Sequence, residues 1–188
     1  MAETLSKMMP LGTIAPDFAL PDTVTGRTFS LQDLKGGKGT IIMFICNHCP
    51  YVLHVKDQLI DIAKLYAGKG VSTIAISAND VKNYPQDAPD KMQAMMEEWG
   101  RPFAAYLYDE SQDTARAYQA ACTPDIYLFD AALTCVYRGR LDGSTPKNDV
   151  PLTGQDLRAA LDSLLAGRPI APEQVPSMGC NIKWKTTD

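Results

Sequence analysis

Two cysteines three residues apart, Cys46 and Cys49, stand in the stretch Ile45-Cys46-Asn47-His48-Cys49-Pro50-Tyr51, with a histidine between them and a proline behind. Thiols at this spacing form a dithiol–disulfide couple, supply half of a metal site, or fill a core. A thiol attacks only as its thiolate, so a redox pair needs something that favours the anion. The position supplies it. A strand ends at Cys46 and a helix opens at or near Cys49, so Cys46 is expected to face unpaired amides and the positive end of the helix dipole. Pro50 suits a first helical turn, where a missing N–H costs nothing. His48 can carry positive charge and is expected to favour the Cys46 thiolate further, making the couple more oxidising. Cys46 is therefore read as the exposed nucleophile and Cys49 as the resolving thiol.

A second stretch, Cys122-Thr123-Pro124-Asp125, directly precedes a strand. Pro124 is a candidate for a cis bond. Beside the cysteine pair, such a loop would expose the Thr123 backbone to a substrate chain by strand addition. Thr123 and Pro124 are therefore the expected substrate-binding residues. Cys180 is a third redox thiol if the end of the chain folds back over Cys46, and a packing residue otherwise. Cys122 and Cys135 read as buried thiols. The two histidines, His48 and His54, both lie in the motif region, so a remote ligand is missing and a zinc site would have to recruit Cys122 or a carboxylate. No metal is assigned, and a copper- or zinc-binding module stands as an alternative. His54 reads as a surface or satisfied residue, Met92, Met95 and Met96 as core, and Arg138, Arg140 and Asp142 as a solvated charge cluster.

The elements that must position these groups follow from periodicity. Thr40 to Ile45 is continuously apolar and β-branched, the pattern of a strand covered on both faces. From Pro50 the apolar residues Val52, Val55, Leu59, Ile62, Ala63 and Tyr66 recur at helical spacing until Gly68 and Gly70. Val71 to Ser77 is a second buried strand, so the cysteines sit at the turn of a βαβ unit. Before it, Ala15–Leu20 and Thr28–Leu31 suggest a hairpin around a turn at Asp22–Gly26. After it come a loop over 79–89, a Met-rich helix over Ala88–Trp99, a strand at Tyr106–Tyr108, and a short helix over Ser111–Ala120 opened by a cap. Strands at Asp125–Asp130 and Leu133–Arg138 form an antiparallel hairpin. A last amphipathic helix spans Thr153–Leu165, with Thr153 as its cap, before a Pro-containing tail.

At 188 residues and 20.5 kDa the chain reads as a single domain over 1–188, with an extension (1–39), an insertion (79–104) and a tail (168–188). A net charge of −4 leaves no basic stripe to displace counterions, which argues against a nucleic-acid partner. The longest apolar run, Ile41–Ile45, is far too short for a membrane span. The start MAETLSKMMPLG has no basic region followed by an apolar stretch, so a cytoplasmic protein is expected. Five irregularly spaced cysteines do not make a disulfide framework, and a close pair in a reducing compartment is catalytic or metal-binding more often than a staple.

Together APDFAL, CNHC, TPD, GRLDGS, TGQDLRAALDSLLAG and GCNIKWK resemble the thioredoxin-like superfamily, in its peroxiredoxin-like, AhpC/TSA-related branch, over nearly the whole chain. The resemblance implies an α/β thioredoxin fold: a mixed central sheet flanked by helices, with an N-terminal β-hairpin and a helical insertion after the second core strand. It also implies a redox-active CxxC on the first helix and a cis-proline opposite. In the peroxidase pattern PxxxTxxC, aligned on Cys49, Ile42 stands for the proline and Cys46 for the threonine, and Pro124 falls where an arginine would polarise peroxide. Thioredoxin's tryptophan is Ile45 here, and the preceding strand lacks thioredoxin's buried acid. The expected activity is thiol–disulfide exchange through a Cys46–Cys49 disulfide, with no other cofactor. The partners are a protein or small-molecule disulfide and a thiol reductant. A thiol peroxidase attacking through Cys49 is the alternative enzyme.

Overall fold

The computed structural model describes residues 3–186. The chain opens with β1 (Glu3–Leu5), then a hairpin of β2 (Ala19–Pro21) and β3 (Thr28–Ser30). A one-turn helix, α1 (Leu31–Leu34), leads into β4 (Gly39–Phe44), α2 (Pro50–Ala67) and β5 (Val71–Ser77). Beyond a 3-10 turn at Pro85–Asp87 come α3 (Pro89–Glu98), β6 (Ala105–Tyr108) and α4 (Asp113–Ala117). The rest comprises β7 (Cys122–Thr123), β8 (Asp125–Asp130), β9 (Cys135–Arg138), α5 (Gln155–Leu165) and β10 (Met178–Asn181).

The central sheet runs β6-β5-β4-β8-β9. Strand β4 pairs parallel with β5 and antiparallel with β8, so the sheet is mixed. The unbroken apolar run of β4 has a simple cause: both faces are covered. Ile41, Met43 and Ile45 join the core under α2, α3 and α5, while Ile42 and Phe44 join a second core with Phe18, Leu31 and Tyr118. Each such side chain contributes about 1.5–3 kcal/mol relative to exposure, which makes β4 a rigid base for the residues at its end. The stripe of α2 from Val52 to Tyr66 is buried throughout. Met92, Met95 and Met96 are core, as their spacing suggests.

Four local expectations change. Helix α4 is shorter than Ser111–Ala120 and is not opened by a side-chain cap; Gln112 holds its N-cap position in the left-handed region at φ 67°. Thr153 does not cap α5. Gly154 takes that position at φ 69° without a side-chain cap, and the Asp142 carboxylate accepts the Thr153 and Gly154 N–H groups at 2.7 and 2.6 Å. That anchor also removes Asp142 from the solvated cluster, since it is 4% exposed. The chain start and the tail, where no strand is expected at Glu3–Leu5 or Met178–Asn181, form a second sheet with β7 in the order β1-β10-β7. No helix among the described residues is long and apolar enough to cross a membrane.

Candidate active site

Strand β4 delivers Cys46 one residue beyond Ile45, whose N–H still bonds the Ile76 carbonyl at 3.0 Å. Helix α2 begins at Pro50 with Cys49 as its N-cap residue. The loop between them is held from the insertion. Asp87, fully buried, accepts the N–H groups of Asn47 (2.8 Å) and His48 (3.3 Å), the Asn79 amide (2.8 Å) and the His48 ring at Nδ1 (2.6 Å). Asn47 also reaches the Gln86 carbonyl and receives the Tyr106 hydroxyl, and the His48 ring stacks on Tyr84 at 10° between planes. A carboxylate at Nδ1 fixes the proton there. His48 does touch Cys46, at 3.9 Å from Nδ1 to Sγ, but its ring proton is committed to Asp87.

The other wall is the Thr123–Pro124 loop, whose peptide bond is cis. The Thr123 hydroxyl lies 3.6 Å from the Cys46 sulfur, and the Thr123 carbonyl accepts the Cys49 thiol at 3.1 Å. Strand addition at Thr123 is not open as expected. Strand β10 already pairs with β7 there, Cys180 opposite Thr123 and Asn181 opposite Cys122. Thr123 is 3% exposed in consequence. The fit over the cis peptide is close: a Cβ on Gly179 would stand 2.0 Å from the Thr123 oxygen and 2.6 Å from its carbon. The tail does fold back, and it sets Cys180 opposite Thr123, whose carbonyl accepts the Cys49 thiol.

The exposure expected of Cys46 is the largest correction. Cys46 is 1% exposed and Cys49 0%. The Cys46 thiol is pushed up by its contact with Cys49, by burial and by the Asp87 carboxylate. Cys49 is pulled down to about 5, first by the Cys46 thiol and further by the Cys180 thiol, the Thr123 hydroxyl and the Val52 N–H, against burial. The Thr123 carbonyl opposes that anion, but the donors around Cys49 outnumber it. Cys180 is pushed up to about 12 by burial and its contact with Cys49.

The remaining residues separate cleanly. Cys122 and Cys135 are buried, and burial raises both thiols, Cys135 to about 11. Arg140 pairs with Asp156 at 2.7 Å and Arg138 with Gln174, so they are structural. His54 bonds the Ser144 hydroxyl at 2.8 Å in a cleft of about 400 Å³ that reaches Pro124 but is lined by none of the three clustered thiols. Cys46, His48 and Asp87 bring sulfur, nitrogen and oxygen within 4.8 Å of one another. Yet His48 Nδ1 and Asp87 Oδ2 are a hydrogen-bonded pair at 2.6 Å, whereas two ligands of tetrahedral zinc stand about 3.4 Å apart. Asp87 is the site residue that the sequence did not mark. It is one of two aspartates in a polar loop, and only the fold separates it from Asp80.

A model of the AhpC/TSA family matches residues 11–138. The chain is similar in structure to an uncharacterized conserved protein from Geobacillus kaustophilus, with TM-score 0.97, 53% identity and coverage of 100% of this chain and 99% of that one. It is similar also to a hypothetical protein from Sinorhizobium meliloti 1021, at TM-score 0.94 and 42% identity, covering 98% of this chain and 100% of that one. A more distant likeness, of fold alone, is to the thioredoxin domain of a thiol-disulfide oxidoreductase from Bacteroides vulgatus. There the TM-score is 0.58 and the identity 20%, over 70% of this chain and 89% of that one. A search of curated proteins finds no match.

Proposed function

The chain belongs to the AhpC/TSA family and has a thioredoxin fold, and from that premise we propose that it is a thiol–disulfide oxidoreductase whose Cys46 and Cys49 cycle between dithiol and disulfide. The observation that carries this reading is the meeting of the two thiols at the start of α2, against Thr123, whose hydroxyl lies 3.6 Å from the Cys46 sulfur and whose carbonyl accepts the Cys49 thiol at 3.1 Å. The Cys49 thiolate attacks one sulfur of a substrate disulfide, forming a mixed disulfide and releasing the other sulfur as a thiolate. That thiolate takes the proton of Cys46, and Cys46 attacks the Cys49 sulfur. The second substrate sulfur leaves, the Cys46–Cys49 bond closes, and two electrons have passed to the substrate. A thiol reductant in a reducing compartment restores the pair, and no organic cofactor takes part. In this reading the two cysteines exchange the roles expected from the sequence.

The deciding experiment is a redox titration of the wild type with Cys46→Ser and Cys49→Ser variants. The expected result is a reversible Cys46–Cys49 disulfide at biological potentials, lost in either variant. Its absence in the wild type defeats the reading. Peroxide reduction is a second reading, favoured by the same low Cys49 value, because a peroxide is small and an anionic thiol is its nucleophile. Peroxide consumption that survives Cys46→Ser and disappears in Cys49→Ser would put that reading first.

A further inference from the structure

The cysteine pair is covered, and part of the cover carries a sulfur. Strand β10 occupies the edge of β7 where an incoming strand would pair, and sets Cys180 opposite Thr123. Gly179 lies against the Thr123–Pro124 peptide so closely that only a glycine fits. The segment is built in at both ends. The Ser6 N–H bonds the Ser177 carbonyl at 2.8 Å and the Ile182 N–H bonds Ala121 at 3.1 Å. Beyond it, the Lys183 N–H bonds the Asn79 side chain at 2.9 Å. Nothing in this arrangement requires a cysteine at 180, yet its side chain is 3% exposed and stands opposite Thr123, whose carbonyl accepts the Cys49 thiol at 3.1 Å, and contact with Cys49 helps to push its thiol up. Cys49, the N-cap residue of α2, and Cys180 therefore meet at the same residue, Thr123.

We propose that Cys180 is an in-chain exchange partner of the cysteine pair, and that β10 holds it in the place of a substrate strand. The proposal rests on the Cys46–Cys49 reading above. In the oxidised protein the Cys180 sulfur, as thiolate, attacks Cys49 Sγ. The Cys46–Cys49 bond breaks, a Cys49–Cys180 bond forms, and Cys46 leaves and takes up the proton that Cys180 has lost. One disulfide replaces another, so no outside oxidant or reductant is consumed. The step carries the oxidising equivalent from the insertion side of the site to the second sheet, where a strand that displaces β10 would find it.

The test treats three proteins with oxidised glutathione and maps the disulfides by mass spectrometry: Cys180→Ser, Cys46→Ser and Cys46→Ser/Gly179→Ala. Cys180→Ser is expected to form the Cys46–Cys49 disulfide. In Cys46→Ser, Cys49 first takes up glutathione, and Cys180 is expected to expel it, leaving a Cys49–Cys180 disulfide. Gly179→Ala, which forces β10 off the cis peptide, is expected to slow that expulsion at least tenfold, with the fold checked by circular dichroism. A lasting glutathione adduct on Cys49 in Cys46→Ser, beside a normal Cys46–Cys49 disulfide in Cys180→Ser, overturns the relay and leaves the pair standing. Failure of Cys180→Ser to form the Cys46–Cys49 disulfide overturns the pair itself, and with it a relay that starts from that bond. If Cys46→Ser/Gly179→Ala keeps its circular dichroism and expels glutathione as fast as Cys46→Ser, β10 does not hold the thiol in place, and the proposal fails in that part.

Discussion

Cys46 and Cys49 are neighbours in sequence and equally buried, yet they occupy opposite electrostatic surroundings. Apart from Cys49 and the Thr123 hydroxyl, which both sulfurs share, the partners of Cys46 are the Asp87 carboxylate of the insertion and the His48 ring pinned between Asp87 and Tyr84. The partners of Cys49 come from α2, β7 and β10, and most are donors: the Val52 amide, the Thr123 hydroxyl and the thiols of Cys46 and Cys180. Burial raises both thiols, so it cannot separate them; the sign of the neighbours does. At a strand-to-helix junction, then, proximity to the helix end is not enough to say which sulfur carries the charge. Tertiary partners decide it.

The largest break in this contrast is expected from Asp87→Ala. It leaves the half-buried Asn47 and His48 N–H groups, the buried Asn79 amide and the His48 ring without their acceptor. Stranding several buried donors costs about 3 kcal/mol or more, read as a lower urea midpoint. A loss below about 1 kcal/mol would mean that the loop before α2 is held by something other than Asp87.

Next in size is Cys46→Ala, which removes the first cause of the low Cys49 value. In the wild type, alkylation of Cys49 should fall away as pH drops through about 5. The variant should move that midpoint upward by about 1–2 units. An unmoved midpoint would place the whole effect on β7, β10 and α2. The linked stability has a definite sign. A thiol depressed in the folded state stabilises the reduced protein above its unfolded value of about 8.5. That contribution is lost as pH falls from there through about 5.

The halves of the site differ also in how legible they were. The junction of β4 and α2 was visible in the sequence because both elements declare themselves locally, one as an apolar β-branched run and the other by a stripe from Val52 to Tyr66. Thr123-Pro124 was visible as a candidate from its type and place, and it stands where expected. Asp87 was not. Its role arises from 40 residues of separation to Asn47, and the loop that carries it has a second acid, Asp80, that nothing local sets apart from it. Strand β10 was missed for a related reason. Met178-Gly179-Cys180-Asn181 has no alternation of its own, and becomes a strand only because β1 and β7 lie on either side of it. The exposure assigned to Cys46 failed because covers of this kind are long-range pairings, which no local pattern records.

The smallest effect tests whether the two surroundings are independent. Tyr84 stacks on His48 with ring centroids 5.7 Å apart, and Lys183 lies over its ring at 5.6 Å. Tyr84→Leu keeps an apolar cover but removes the aromatic plane, a loss of about 0.5–1 kcal/mol. His48 would keep its bond to Asp87, so the carboxylate beside Cys46 would stay in place. The alkylation midpoint of Cys49 should then remain at about 5. If Tyr84→Leu shifts that midpoint by a unit or more, the insertion reaches Cys49 as well. The natural route would be Lys183, which follows β10 in the chain, bonds Asn181 through its ammonium group and touches Tyr84. In that case the two surroundings are one network, and the contrast between the cysteines depends on the tail as much as on the loop.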